Sequence, residues 1–157
     1  MEDAAENLHG TAIALGGNAA LIRGAPGSGK SDLALRCLAV APTALIPCPT
    51  VLVADDRVDV RRKGERLVAE APATIRGKLE VRGLGILSVP CTGSAELVLI
   101  ADLTTPDKIE RLPDPAPLAE LLGVRLPLLY LAPFEAAAPV KLLLALAQTL
   151  RRPPIGV

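Results

Sequence analysis

The sequence predicts an α/β protein, a mixed β-sheet with flanking helices around a phosphate-binding core. Three observations lead there. Short apolar runs bounded by Gly, Pro or Asp recur along the chain, as buried strands do. Two stretches, after Gly29 and after Pro139, place apolar residues among helix formers. Between one apolar run and the first of these stretches lies G-x-x-x-x-G-K-S, from Gly24 to Ser31. With 157 residues, half of them apolar, the chain suits one domain whose core needs no disulfide or metal.

The elements follow in order. Residues 1–8 are polar and read as a loose N-terminus. Gly10 to Leu15 is small and apolar, a strand, and Gly16-Gly17-Asn18 is a tight turn into a second strand over Ala19–Arg23. Leu33, Leu35, Cys37, Leu38 and Val40 mark a helix that Pro42 must end. Val51–Ala54 is a buried strand ending in Asp55-Asp56. Val58–Arg61 and Arg66–Ala69 form a hairpin around Lys63-Gly64. Leu79–Val81 and Ile86–Val89 flank a Gly-rich bend. Leu97–Ile100 is a fully apolar strand ending at Asp102, and Leu126–Leu131 is another. Pro139 fits the first turn of a last helix, where its missing N–H is not needed. That helix runs to Arg151, and 152–157 form a tail.

The residue types of Gly24–Ser31 explain their use. Gly24, Gly27 and Gly29 let the backbone curl, so that N–H groups of Gly24, Ala25, Gly27, Ser28 and Gly29 face phosphate, with Pro26 holding a turn. Lys30 reaches the outer phosphates of ATP, and Ser31 offers a hydroxyl to Mg²⁺. The helix starting there adds its positive dipole end. Such a loop needs a carboxylate from another strand end. "VLVADD", ending at Asp55-Asp56, and "LVLIAD", ending at Asp102, are equal by pattern. Two adjacent carboxylates tilt the choice to the first, since like charges raise one pKa and suit a proton carrier. Glu80, His9 and Arg111 stand out less: on its own Glu80 reads as a surface residue as readily as a functional one, and His9 and Arg111 read more readily as surface residues.

Composition excludes other classes. Seventeen basic and seventeen acidic residues cancel, and aromatics number one Tyr and one Phe, against a nucleic-acid surface. Cys37, Cys48 and Cys91 match no zinc spacing and, each set among apolar residues, read as buried reduced thiols. No leader and no membrane-length apolar run appears, so the expectation is a cytoplasmic protein with no membrane partner.

Five segments, "LHGTAIAL", "GAPGSGKSDLAL", "LVADDRVDV", "LEVRGLGILSV" and "TPDKIERL", in this order, resemble the catalytic domain of bacterial HPr kinase/phosphorylase. The likeness covers the chain from Leu8 to the last helix. It implies a phosphoenolpyruvate-carboxykinase-like nucleotide site and a protein-serine kinase that uses ATP and Mg²⁺ to phosphorylate a serine of HPr, the phosphocarrier protein of the phosphotransferase system. By the resemblance, Gly24–Ser31 hold ATP, Ser31 and Glu80 bind Mg²⁺, and Asp55 and Asp56 handle the serine proton. His9, Lys30 and Arg111 match further active-site positions. The resemblance also sets Asp102 aside.

The chain departs from the family in three ways. It looks like the short proteobacterial form without the N-terminal domain. It lacks the family's last helices, and it reads "PVKLLLALA" where the family has an Arg- and Gly-containing segment tied to dephosphorylation. The expectation is therefore a kinase acting on an HPr-like carrier, in preference to phosphorolysis. The family's hexamers are the ground for a homo-oligomer, and the shorter C-terminus takes part of that ground away, so the oligomeric state stays open. A non-catalytic ATP sensor and another small P-loop kinase remain the alternatives.

Overall fold

A computed structural model of the chain describes residues 4–151, so the expected tail at 152–157 lies outside the described residues. β1 (Ala5–His9) and β2 (Thr11–Leu15) form one long strand broken only at Gly10. β1 corrects, from Ala5 onward, the loose N-terminus expected over residues 1–8. Its polar sequence "AENLH" carries no strand signal, and pairing with β5 supplies what propensity does not. β3 (Asn18–Arg23) returns antiparallel to β2 through Gly16 and Gly17, both at positive φ. α1 (Lys30–Leu38) follows, ending sooner than Pro42 requires.

β4 (Thr50–Ala54) and β5 (Arg57–Lys63) are again one long strand, broken at Asp55-Asp56. β2 pairs with β4, and β1 pairs with β5. The two long strands thus run antiparallel and bend together, with the Gly10 N–H donating to the Asp56 carbonyl at 3.1 Å. A Cβ on Gly10 would stand 2.9 Å from the Ile22 carbonyl oxygen and from Leu21 Cδ1, so the bend admits no side chain. β6 (Arg66–Glu70) closes the expected hairpin with β5. β7 (Lys78–Val81) and β8 (Gly85–Ser88) form a separate two-stranded sheet, as the Gly-rich bend predicts.

β9 (Ser94–Leu103) is the axis of the main sheet. Its first half pairs antiparallel with β6 and its second half parallel with β11 (Val124–Leu131), while β3 runs parallel along its other edge. β10 (Leu118–Leu121) adds to β11. The nine-stranded mixed sheet runs β1-β5-β6-β9-β3-β2-β4, with β11 and β10 branching from β9. This is the α/β class that the sequence predicts.

Curling of the sheet creates two cores. On one side Ile13, Leu15, Ile22 and Leu99 pack against α1 and α2 (Ala138–Arg151). On the other, Ala12, Ala14, Leu21, Val58, Leu67 and Leu97 fill the concave side of the sheet. Every residue of β2 is buried because its two faces serve different cores, which is why the strand reads as continuously apolar. No helix among the described residues is long and apolar enough to cross a membrane.

Candidate active site

A cleft of about 490 Å³ opens where the Gly-rich loop, the double bend and β7 meet. The loop is built as its residue types require. Gly27 and Gly29 have φ of 79° and 99°, and the Ser28 N–H donates to the Ala25 carbonyl at 3.0 Å. Lys30, only 7% exposed, donates from Nζ to the carbonyls of Gly24 (2.8 Å) and Ala25 (3.0 Å), which holds its ammonium under the loop. A Cβ on Gly29 would meet the Phe134 ring at 3.0 Å, so the aromatic side chain rests directly on the loop.

Asp55 is the hub. Its carboxylate is 7% exposed and accepts three hydrogen bonds: from Thr11 Oγ1 at 3.0 Å and Ser31 Oγ at 2.6 Å on one oxygen, and from the Glu80 N–H at 3.2 Å on the other. One side chain therefore ties β2, α1 and β7 together. Asp56 behaves differently. A three-residue turn, closed by the Arg57 N–H to the Asp55 carbonyl at 2.8 Å, holds Asp56 at φ 69°. Its carboxylate is 70% exposed and lies 3.5 Å from His9 Nδ1. The neighbouring carboxylates thus face different partners, one buried and bonded, one open to the cleft. Left-handed backbone at a non-Gly residue costs free energy and collects at functional sites.

The two strand-end aspartates are no longer equal. Asp102 bonds Arg23 with both oxygens, at 2.7 and 2.8 Å, and that bond raises the Arg23 guanidinium above its ordinary pKa. Asp102 is therefore occupied, and Asp55-Asp56 face the loop.

His9, Pro26, Gly27, Gly29, Lys30, Ser31, Asp56 and Glu80 line the cleft together. Gly24 and Ala25 support it from behind through Lys30, and Ser28 lines a neighbouring cavity. Arg111 is exposed and stands outside the lining of this cleft, on an irregular proline-rich stretch between β9 and β10. Arg82, two residues beyond Glu80, is the arginine that lines the cleft. Thr11 and Phe134 also escaped the sequence reading. A hydroxyl within the buried run "TAIAL" was a signal for the first, and the chain's single Phe, placed outside any apolar run, for the second.

Among the described residues no three His, Cys, Asp or Glu side chains converge as a metal set. Ser31 and Glu80, both anchored on Asp55, fit a cation that takes most of its ligands from phosphate and water, which is the habit of Mg²⁺.

Fold and site define a class: an α/β domain whose Walker-type loop heads a helix and faces a carboxylate-bearing strand bend. The chain belongs to the HPr serine kinase C-terminal domain family, whose model matches residues 3–151. It is 36% identical over 132 residues to the HPr kinase/phosphorylase of Caldicellulosiruptor bescii, covering 77% of this chain and 40% of that protein. It is 42% identical over 84 residues to the HPr kinase/phosphorylase of Latilactobacillus sakei, covering 53% of this chain and 24% of that one. The chain therefore spans well under half the length of these relatives. Its fold matches the Hpr(Ser) kinase/phosphatase structure from Coxiella burnetii with a TM-score of 0.73 at 22% identity, over 93% of this chain and 96% of that one.

Proposed function

We infer that the protein transfers the terminal phosphoryl group of ATP to a serine hydroxyl of an HPr-like phosphocarrier. The observation that carries this reading is the division of labour at Asp55-Asp56. Asp55 fixes the loop helix, the bend and β7 in one geometry, and Asp56 stands open beside His9.

In this reading the loop and Lys30 hold the phosphates. The serine oxygen attacks the terminal phosphorus, a new O–P bond forms, and the bond to the ADP oxygen breaks. Asp56 accepts the serine proton as attack proceeds, and His9 orients its carboxylate. Arg82 faces the transferring group from the turn between β7 and β8 as a further cation. Mg²⁺ held by Ser31 and Glu80 would neutralise charge on the phosphates. Asp55, saturated by three donors, positions these groups and takes no proton.

The reverse reaction gains no basic group from the segment after Pro139. Lys141 pairs with Glu135 at 3.0 Å, and Leu142, Leu143 and Leu146 are buried in the core. The test is incubation with ATP, Mg²⁺ and the HPr-like protein of the same organism, followed by mass spectrometry of the carrier. One phosphate on a serine is the expected result. A carrier left unmodified by protein that demonstrably binds ATP would refute the reading.

A further inference from the structure

Beside the cleft lies a second cavity, about 620 Å³, which the phosphate-binding reading does not use. Its walls are mainly apolar, formed by Leu103, Pro106, Ala132, Pro133 and Phe134, with Thr104 and Thr105 among them. Ser28 of the loop forms part of its boundary, and Phe134 lines both cavities. The size suits a small-molecule site.

Phe134 is the unusual element. It is the chain's only phenylalanine, in a protein that is half apolar, yet it is 74% exposed. An exposed large aromatic ring is informative where a buried one is not. The ring is also held in place. It lies against Gly29, and the guanidinium of Arg36 donates to the carbonyls on either side of it, those of Pro133 and Glu135. Arg36 is itself paired with Asp32 in the first turn of α1 at 3.0 Å. The Glu135 N–H donates to the Ala132 carbonyl, and the Glu135 carboxylate binds Lys141. A rigid aromatic face at the edge of an apolar cavity, one residue-width from a phosphate loop, is a stacking platform in the right place.

We propose that this second cavity takes the base and sugar of the nucleotide whose phosphates lie in the loop, with Phe134 as the stacking wall between the two. This rests on the nucleotide reading of the loop given above. The mainly apolar walls give affinity for a flat ring. The hydroxyls of Thr104 and Thr105 and the charged ends of Lys108 and Glu135 are the polar groups left to contact the sugar and the edge of the base.

Calorimetry with Mg²⁺ separates the two parts of the ligand. ATP carries a base, and inorganic tripolyphosphate has nothing to place in the second cavity. The wild-type protein should bind ATP at least tenfold more tightly than tripolyphosphate. Phe134→Ala should remove about tenfold or more of the ATP affinity, as loss of a base-stacking ring does. Thr105→Trp, at an exposed position, should fill the cavity and bring ATP close to the tripolyphosphate value. Tripolyphosphate binding retained by both variants shows that they are folded with an intact loop. Wild-type ATP affinity in both variants, or equal wild-type affinity for the two ligands, overturns the cavity assignment and leaves the loop reading standing. Failure of both ligands to bind the wild type overturns the loop reading, and the assignment falls with it.

Discussion

Asp55 and Asp56 are neighbours in sequence, and their replacement should have opposite consequences. Asp55→Ala removes the acceptor for the Thr11 hydroxyl, on a residue 0% exposed, and for the Glu80 N–H, on an exposed residue that borders the cleft. Ser31 borders the cleft, and its hydroxyl can turn to solvent. Leaving a buried donor unsatisfied costs about 1–3 kcal/mol, so the loss at Thr11 should cost about 2 kcal/mol. In a domain of this size that corresponds to a fall in melting temperature of roughly 4–8 °C. Asp55→Asn should be milder, about 1 kcal/mol, because an amide can keep its oxygen on the Glu80 N–H and donate to the two hydroxyls, which accept as readily as they donate. Asp56→Ala, at an open position, should hardly change a urea melt followed by circular dichroism. Its effect belongs to transfer, with a loss on the order of 100-fold to 10,000-fold when carrier phosphorylation is followed by mass spectrometry. The reasoning fails if Asp56→Ala is as destabilising as Asp55→Ala, or if Asp55→Asn melts as low as the alanine variant.

Three further outcomes are expected. Gly29→Ala forces a Cβ against the Phe134 ring at φ 99° and should cost about 1–2 kcal/mol, read by urea denaturation, together with weaker ATP binding. Arg82→Ala should slow carrier phosphorylation by tenfold or more, whereas Arg111→Ala should stay within about twofold of wild type; the reverse order in a transfer assay would restore Arg111 to the site. The third concerns Cys37, packed between α1 and α2, whose thiol burial pushes from 9.0 up to about 12. The folded state therefore keeps a proton that the unfolded chain loses above pH 9.0. The stabilisation is complete below that value and falls by about 1.4 kcal/mol per pH unit between it and about 12. Urea midpoints measured from pH 8 to pH 11 should fall more steeply for wild type than for Cys37→Ala; parallel curves would contradict the burial.

Much of this architecture is legible in the sequence because burial leaves a compositional trace. β2, β3, β4 and β9 are apolar on both faces, and the hairpin and helices carry their own turn and proline signals. β1 left no trace because its residues are polar and its order comes from pairing with β5. β10 was hidden for another reason. Its hairpin turns through Leu122 and Gly123, both at positive φ, and leucine at such a position is not a turn signal. Within the site, the loop was readable from residue type and spacing, whereas the acidic pair was equal to Asp102 by pattern, favoured only by its second carboxylate, and chosen by the family resemblance. The separation of the two carboxylates was not readable, since it depends on the φ of Asp56 and on donors from β2 and β7. The position of Arg111 relative to the cleft was not legible either, because a sequence motif fixes identity and the surrounding proline-rich segment decides where the side chain goes.

The pairing of β2 with β4 slips by one residue between Ala12 and Ile13, leaving Val53 as an extra residue just before Asp55. Side chains alternate faces along a strand, so that single residue sets the phase of everything after it. Deleting Val53 would regularise the ladder and turn Asp55 half a period, away from Ser31 and Glu80, without changing one functional side chain. An irregularity in strand counting is thus as much a part of the site as any carboxylate, and a comparison of site residues by identity alone would never register its loss.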